Sequence, residues 1–312
     1  MKIKKIFYNC IKYITNAKYR ALVNINLGFY NHMPDEDFLK KSYKIRMHRD
    51  LDLENPNTFN EKIQWLKLYD RKPEYTRMVD KYEAKKYVAE IIGDEYIIPT
   101  LGAWDNFNDI DFDSLPNQFV LKTTHDSGGI VICRDKSNFN KKKAKKKLNK
   151  SLKRDYYMLH REWPYKNVKK RIIAEQYMED DYQLGSLTDY KFYCFGGTPK
   201  FLYVSKGLDN HKTASISFLT LDWEFAPYKR SDYFPLDELP KKPKNFDQMI
   251  EIANKLSTNI SFLRVDLYEI NEKIYFSELT FSPGSGYTVF EPNEWEHTFG
   301  DWITLPSKKT RE

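Results

Sequence analysis

Apolar and polar positions follow a helical period in the first third of the chain and a strand period afterwards. Near the N-terminus Ile3, Ile6, Phe7, Cys10 and Ile14 fall on one helical face, with lysines elsewhere. Such a face suits an anionic membrane surface or the body of the protein. The two arrangements look alike in sequence, and packing on the body is the expected one. Residues 1–50 thus read as a peripheral, basic, helical segment. Thr58 and Glu61 then stand at capping-box spacing and announce a helix. A second helix is expected over residues 74–92, closed by Gly93. Residues 97–101, holding Pro99, read as a short extended piece.

From Phe119 onward the pattern becomes that of strands. Residues 119–122 and 130–133 flank a seven-residue loop, 123–129, and form a hairpin. Residues 171–177 are a strand, 189–195 and 200–204 a hairpin about Gly196 and Gly197, and 216–223 a further strand. Asn245 is expected to cap a helix carrying Phe246, Met249, Ile250 and Ala253. Residues 262–268 and 273–279 make the last hairpin. Dominant hairpins with clustered helices predict an α+β fold with mainly antiparallel sheets.

Composition narrows the class. A chain of 312 residues with 41% hydrophobic and 16% aromatic content is globular. The net charge of +7 gathers in the first twenty residues and in 141–154, which holds nine Lys or Arg in fourteen positions. Ala144, Leu148 and Leu152 give that run one apolar stripe, so its lysines read as the solvated face of a helix. No nucleic acid is expected as partner. Cys10, Cys133 and Cys194 are far apart, which argues against a disulfide framework or zinc site and for a reducing compartment. No apolar stretch approaches the ~20 residues of a membrane span. Lys12 and Lys18 interrupt what would be a signal-peptide core. The expected location is cytoplasmic, or peripheral at the inner membrane surface.

Three stretches could carry chemistry. In FLRVDLYEINEKIYFSELTFSPGSGY, Arg264, Asp266 and Tyr268 share one strand face, and Glu278 and Thr280 share a face of the next. A turn near Asn271 and Glu272 brings Asp266 and Glu278 together. Two adjacent carboxylates need a positive charge between them, and magnesium is the natural occupant. In FVLKTTHDSGGIVIC, Lys122 ends an apolar strand, a costly place for an ammonium without an anion. The Ser127-Gly128-Gly129 loop permits close backbone approach to phosphates. It lacks Walker A spacing and, taken alone, is more often just a loop. In RIIAEQYMEDDYQ, an apolar strand runs into Glu175, Gln176, Tyr177 and Met178, a possible hinge for an adenine edge. Lys191 alternates with Asp189 on the strand after it.

In order and chemistry these stretches resemble the ATP-grasp superfamily. The marks NPNTFNEKIQWLKLYDR, FVLKTTHDSGG, EWPYKN and LRVDLY…FSELTFSPGSG resemble more narrowly the TupA-like ATP-grasp proteins of teichuronopeptide and capsular polysaccharide biosynthesis. The resemblance implies two α+β lobes clasping ATP: a small lobe at 116–185 with the phosphate-covering loop, and a large lobe at 186–312 with the magnesium hairpin. A helical region, 51–115, would precede them. It implies that Lys85, or its neighbour Lys86, and Lys122 contact ATP phosphates, with Ser127, Gly128 and Gly129 closing over them. Glu175, Gln176, Tyr177 and Met178 would hold adenine, with Glu179 or Asp189 near the ribose. Lys191 would meet phosphate or substrate. Asp266 and Glu278 would bind magnesium, with Thr280 beside them. Arg264 would steady an acyl phosphate. Thr280 stands where the family usually has asparagine, so a second magnesium would be held differently.

The implied activity is a Mg-ATP-dependent carboxylate–amine ligase, joining a uronic acid or amino-acid carboxylate to an amine acceptor. Two other readings compete. A glycosyltransferase would use DxD, but Asp35/Asp37, Asp50/Asp52, Asp109/Asp111 and Asp111/Asp113 all match, which makes the pattern uninformative. A non-catalytic membrane scaffold would rest on the basic face and the N-terminal helix.

Overall fold

The structure, a computed structural model, describes residues 2–180, 187–206 and 214–308. Three helices open the chain: α1 (Lys2–Thr15), α2 (Ala17–Asn26) and α3 (Asp35–Met47). Phe38, Leu39 and Tyr43 of α3 are buried with Trp65 and Leu68. The expected packing of α1 on the body is corrected here. Phe7 is 68% and Ile14 72% exposed, Tyr8 and Ile11 are open as well, and the main neighbour of α1 is α2. The side chains of Ile3 and Ile6 lie outside the described residues. Periodicity fixes which residues share a face, not what covers it. Among the described residues no helix is long and apolar enough to cross a membrane.

Helix α4 (Phe59–Tyr69) begins at a complete capping box. Thr58 Oγ1 accepts from the Glu61 amide, and the Glu61 carboxylate accepts from the Thr58 amide at 3.0 Å. The single helix expected over 74–92 is instead two, α5 (Glu74–Val79) and α6 (Glu83–Ile92). The chain is extended at Asp80 (ψ 113°). Its carboxylate accepts from the Tyr82 amide at 2.9 Å and pairs with Arg171 at 2.9 Å. The Lys81 amide donates to the Thr124 carbonyl. Arg171 and Thr124 lie far along the chain, and with the local Tyr82 contact they outweigh one continuous turn of helix.

The first sheet contains β1 (Thr100–Trp104), β2 (Phe119–Thr123), β3 (Ile130–Cys133) and β4 (Ile172–Gln176), antiparallel in the order β1-β4-β2-β3. Helix α7 (Lys141–Leu152) covers it through Ala144 and Leu148 and leaves most of its lysines in solvent. Helix α8 (Tyr156–His160) follows.

The second sheet is built from β5 (Asp189–Phe195), β6 (Thr198–Lys206), β7 (Ser215–Leu219), β9 (Phe262–Ile270) and β10 (Lys273–Thr280), in the order β10-β9-β5-β6-β7. Between them in sequence come β8 (Lys229–Arg230), which pairs with β11 (Phe290–Glu291), and helix α9 (Phe246–Ser257); α10 (Trp295–Asp301) follows β11. The strand expected to reach Trp223 stops at Leu219. Trp223 turns back at φ 65°, and its indole donates to the Pro240 carbonyl. Asn245 does precede α9, but its side-chain amide bonds Glu269 and the Glu272 carbonyl instead of capping the helix.

The two faces of this sheet differ. Phe192, Cys194, Leu202, Val204, Leu263, Val265 and Leu267 pack with α9. On the other face one end is aromatic: Tyr193, Phe195 and Phe262 surround Phe59 of α4, together with Phe290 and Phe299. Phe59→Ala should cost about 3–5 kcal/mol through lost burial and an unfilled cavity. An unfolding free energy from urea titration within about 0.5 kcal/mol of wild type would mean that α4 does not anchor this core.

The other end of that face is charged, and a bulge sets its geometry. Phe276 lies opposite Leu267, but Glu278 lies opposite Asp266, so Ser277 is an extra residue. In an unbroken ladder Glu278 would point toward α9. The bulge turns it to the face that carries Arg264 and Asp266. The hairpin itself closes through Asn271 (φ 49°) and Glu272 (φ 63°), both left-handed as a two-residue turn requires.

Candidate functional site

Two groups of charged side chains face each other, one on each sheet. On the first sheet Glu175 of β4 is the shared counter-ion of two lysines. Lys85 Nζ, from α6, lies 2.6 Å from one carboxylate oxygen, and Lys122 Nζ, from β2, lies 2.5 Å from the other. Lys85 also donates to the Ile98 carbonyl and the Thr100 hydroxyl. Lys86, one residue on, is exposed. Burial raises the Glu175 carboxyl, but Lys122 and Lys85 together hold it down at about 2. Burial lowers Lys85 below its usual range, whereas Glu175 outweighs burial at Lys122 and holds it above.

The sign of this shift predicts a pH dependence. Glu175 titrates below its ordinary 4.5, so it contributes stability above that pH, on the order of 3 kcal/mol. The contribution disappears as pH falls from about 4.5 toward about 2. Urea midpoints of wild type and Glu175→Gln should differ widely at pH 7 and converge toward pH 2. A constant difference across that range would contradict the assignment.

The second group lies on β5, β9 and β10. Asp266 is fully buried. Arg264 grips both of its oxygens at 2.7 Å, and Lys191 lies 2.5 Å from Oδ2. Burial raises the Asp266 carboxyl, but Arg264 and then Lys191 bring it below its usual range. Asp189 pairs with Lys191 at 3.2 Å, and its Oδ1 is buried without a hydrogen-bond partner. Burial leaves Asp189 above its usual range. Thr280 Oγ1 accepts from Arg264 at 2.9 Å. Glu278, directly opposite Asp266, is half-buried and has no side-chain partner among the described residues. The groups meet across the sheets: the Glu278 carboxylate acts on Lys122, and the Tyr268 hydroxyl lies within its electrostatic reach.

The donor set suits magnesium in kind, since Glu278, Asp266 and Thr280 offer hard oxygens. Asp266 is already neutralised by two cations, so a metal would share it. Among the described residues no three acids, histidines or cysteines are placed to hold a metal ion between them. The open carboxylate of Glu278 and the orphaned Asp189 Oδ1 are what an arriving cation or hydrogen-bond donor would satisfy.

The loop after β2 is tethered at its base and open at its tip. Thr123 Oγ1 donates to Asp126 at 2.5 Å, Ser151 also donates to Asp126, and Lys81 Nζ reaches the Asp126 carbonyl at 2.7 Å. Gly129 admits no side chain, since a Cβ would lie 1.8 Å from Thr123 Oγ1. Ser127 and Gly128 are exposed, and Gly128 is left-handed at φ 96°. Gln176, Tyr177, Met178 and Glu179 lie at and beyond the end of β4. Gln176 and Glu179 are exposed, and the Tyr177 hydroxyl accepts from Arg134. Glu175 differs from them in having strand neighbours on both sides, Thr100 and Val120. Residues 181–183 of that stretch lie outside the described residues. A cavity of about 510 Å³ lies elsewhere, against β7, lined by Ile216, Phe218, Tyr228 and Leu236.

Sequence reasoning passed over two buried charged residues beside this site, Lys67 and Glu162. Both sit in quoted motifs, but nothing in the spacing marks them as buried.

A sequence-family model described as TupA-like ATPgrasp matches residues 61–304. No curated protein sequence matches. Among solved structures, D-alanine–D-alanine ligase from Bacillus anthracis is 14% identical with a TM-score of 0.38, over 65% of this chain and 57% of that one. D-alanine–D-alanine ligase from Helicobacter pylori is 17% identical with a TM-score of 0.40, over 80% and 70%. A RimK domain ATP-grasp protein from Sphaerobacter thermophilus DSM 20745 is 11% identical with a TM-score of 0.41, over 75% and 70%. The chain thus spans little more than half of the Bacillus enzyme, and likeness this distant says nothing of substrate. The family match extends over most of the chain and includes both charged groups. The chain belongs to the TupA-like ATP-grasp family.

Proposed function

We propose that this chain is a Mg-ATP-dependent carboxylate–amine ligase acting through an acyl phosphate, which amidates a uronic acid or amino-acid carboxylate during cell-surface polysaccharide biosynthesis. The observation that carries the reading is the opposition of Lys122, drawn onto Glu175, to the partner-free Glu278 on the other sheet. Lys85, Lys122 and Lys191 would bind phosphates, leaving Glu175 to balance what charge remains. Ser127, Gly128 and Gly129 would cover the phosphates. Gln176, Tyr177 and Met178 would hold adenine at the end of β4, and Glu179 or Asp189 the ribose. Glu278 and Asp266, with Thr280, would hold magnesium, which when bound supplies positive charge against the phosphoryl oxygens. The small lobe is assigned to 116–185 and the large lobe to 186–312, with 51–115 as a helical region before them. A cytoplasmic location, with α1 resting on an anionic inner-membrane surface, fits the exposed face of that helix.

In the reaction a substrate carboxylate oxygen attacks the terminal phosphorus of ATP, and ADP leaves. Arg264 steadies the acyl phosphate and the tetrahedral species that follows. The amine then bonds to the acyl carbon and inorganic phosphate departs. No side-chain nucleophile of the protein is required.

The test is incubation with Mg-ATP, glucuronic acid, galacturonic acid or L-glutamate as donors, and L-alanine or glucosamine as acceptors. Mass spectrometry should find an adduct lighter than its parts by one water, with one ADP per adduct. Stabilisation by a UDP-sugar and none by Mg-ATP would favour the glycosyltransferase instead.

A further inference from the structure

Glu162 belongs to EWPYKN, a motif given no role above. It is 5% exposed, in a segment held from outside. The preceding residue, Arg161, is buried and pairs with Asp35 at 3.1 Å and with the Asn31 carbonyl at 3.1 Å. Glu162 is thereby delivered to the Ser282–Ser285 loop that follows β10, where Ser285 Oγ donates to its Oε1 at 2.7 Å. Ser285 is itself strained, at φ 56°, and is fixed from a second side. Lys67 Nζ and Gln64 Nε2, both of α4, donate to its carbonyl at 2.6 and 3.1 Å. Three distant segments therefore converge to hold one buried carboxylate.

The charges facing Glu162 come from every element around it: Lys67 from α4, Arg264 from β9 and Glu278 from β10. The hydroxyls of Tyr156, Tyr165 and Tyr287 also lie within its electrostatic reach. Its hydrogen-bond partner Ser285 lies in the loop that continues β10 beyond Thr280, and the charges of Arg264 and Glu278 reach it, which puts Glu162 toward the Arg264 end of the site. Burial raises the Glu162 carboxyl above its usual range against the pull of Lys67, and a carboxylate shifted in that direction is a stronger base. Burial likewise lowers Lys67.

We propose that Glu162 is the general base that takes a proton from the attacking ammonium group, an inference that rests on the ligase reading. The acceptor R–NH3+ gives one proton to the Glu162 carboxylate. The neutral amine then forms the C–N bond at the acyl carbon, the C–O bond to phosphate breaks, and phosphate leaves with the electron pair. The second nitrogen proton leaves with phosphate or to water. Lys67 is a positioning residue that fixes Ser285 and favours the ionised carboxylate.

Hydroxylamine separates this role from a structural one, because it is already neutral at pH 7 and needs no base. With Mg-ATP and the donors named above, wild type should form hydroxamate from hydroxylamine and amide from ammonium, L-alanine or glucosamine. Glu162→Gln should keep hydroxamate and ADP formation within about threefold. It should lose amide formation by at least about 100-fold at pH 7, and the loss should shrink as pH rises toward the acceptor's own pKa. Equal loss of both products, or undiminished amide formation, overturns the proposal. If the variant does not fold, wild-type pH profiles decide: amide formation should show an acid limb that hydroxamate formation lacks, and coincident profiles overturn the proposal. Wild type that forms hydroxamate but no amide also overturns it. Wild type that forms neither product overturns the ligase reading itself.

Discussion

Glu278→Ala is expected to lower ATP-dependent ADP release by at least about 10²- to 10³-fold, the scale on which a single electrostatic contact to the transition state acts. The fold should hardly notice the change. Glu278 has no side-chain partner among the described residues and is half-buried, so stability should stay within about 0.5 kcal/mol. Asp266 is the poorer probe. Removing its carboxylate strands Arg264 and Lys191 in the interior, and breaking such a pair costs about 3–5 kcal/mol. Loss of activity in Asp266→Ala would therefore mix chemistry with unfolding. ADP release measured beside the melting temperature separates the two. Full turnover in Glu278→Ala would remove magnesium from this hairpin.

Lys122→Met should have the second largest effect, on nucleotide binding. In wild type, saturating Mg-ATP at a hundred times its dissociation constant should add about 2.7 kcal/mol to stability by mass action. The variant keeps the Lys85–Glu175 pair at 2.6 Å but loses the lysine that faces Glu278. Its stabilisation by Mg-ATP should fall below about 1 kcal/mol, read as a thermal shift against each protein's own ligand-free value. A shift equal to wild type would show that Lys122 serves the sheet and not the phosphates.

Much of the site was legible because strands alternate strictly. Arg264, Asp266 and Tyr268 had to share a face, and Lys122 at the end of an apolar strand had to find an anion. The phase break in β10 is also written in the sequence: Ile274 and Phe276 face the α9 core, and Leu279, three residues on, does so too. What escaped was set by distant segments. The helix break at Asp80 depends on Arg171. The burial of Glu162 needs Arg161 held by Asp35 and Ser285 held by α4. The face of α1 reads the same whether covered or open, and in the fold Phe7 and Ile14 stand in solvent. The identity of the anion beside Lys122 was equally hidden: a nearby carboxylate, Glu175, pairs with the lysine that the resemblance assigns to phosphate.

The extra residue at Ser277 divides the hairpin into two halves of different phase. The outer half, from Ile270 to Phe276, keeps its own phase around the two-residue turn, while the inner half, from Glu278 to Thr280, takes its phase from Arg264 and Asp266. The tip can therefore be lengthened, shortened or recoded during divergence without rotating the acids. Deleting Leu279, between Glu278 and Thr280, has no such slack, and would turn Thr280 off the working surface toward the α9 core.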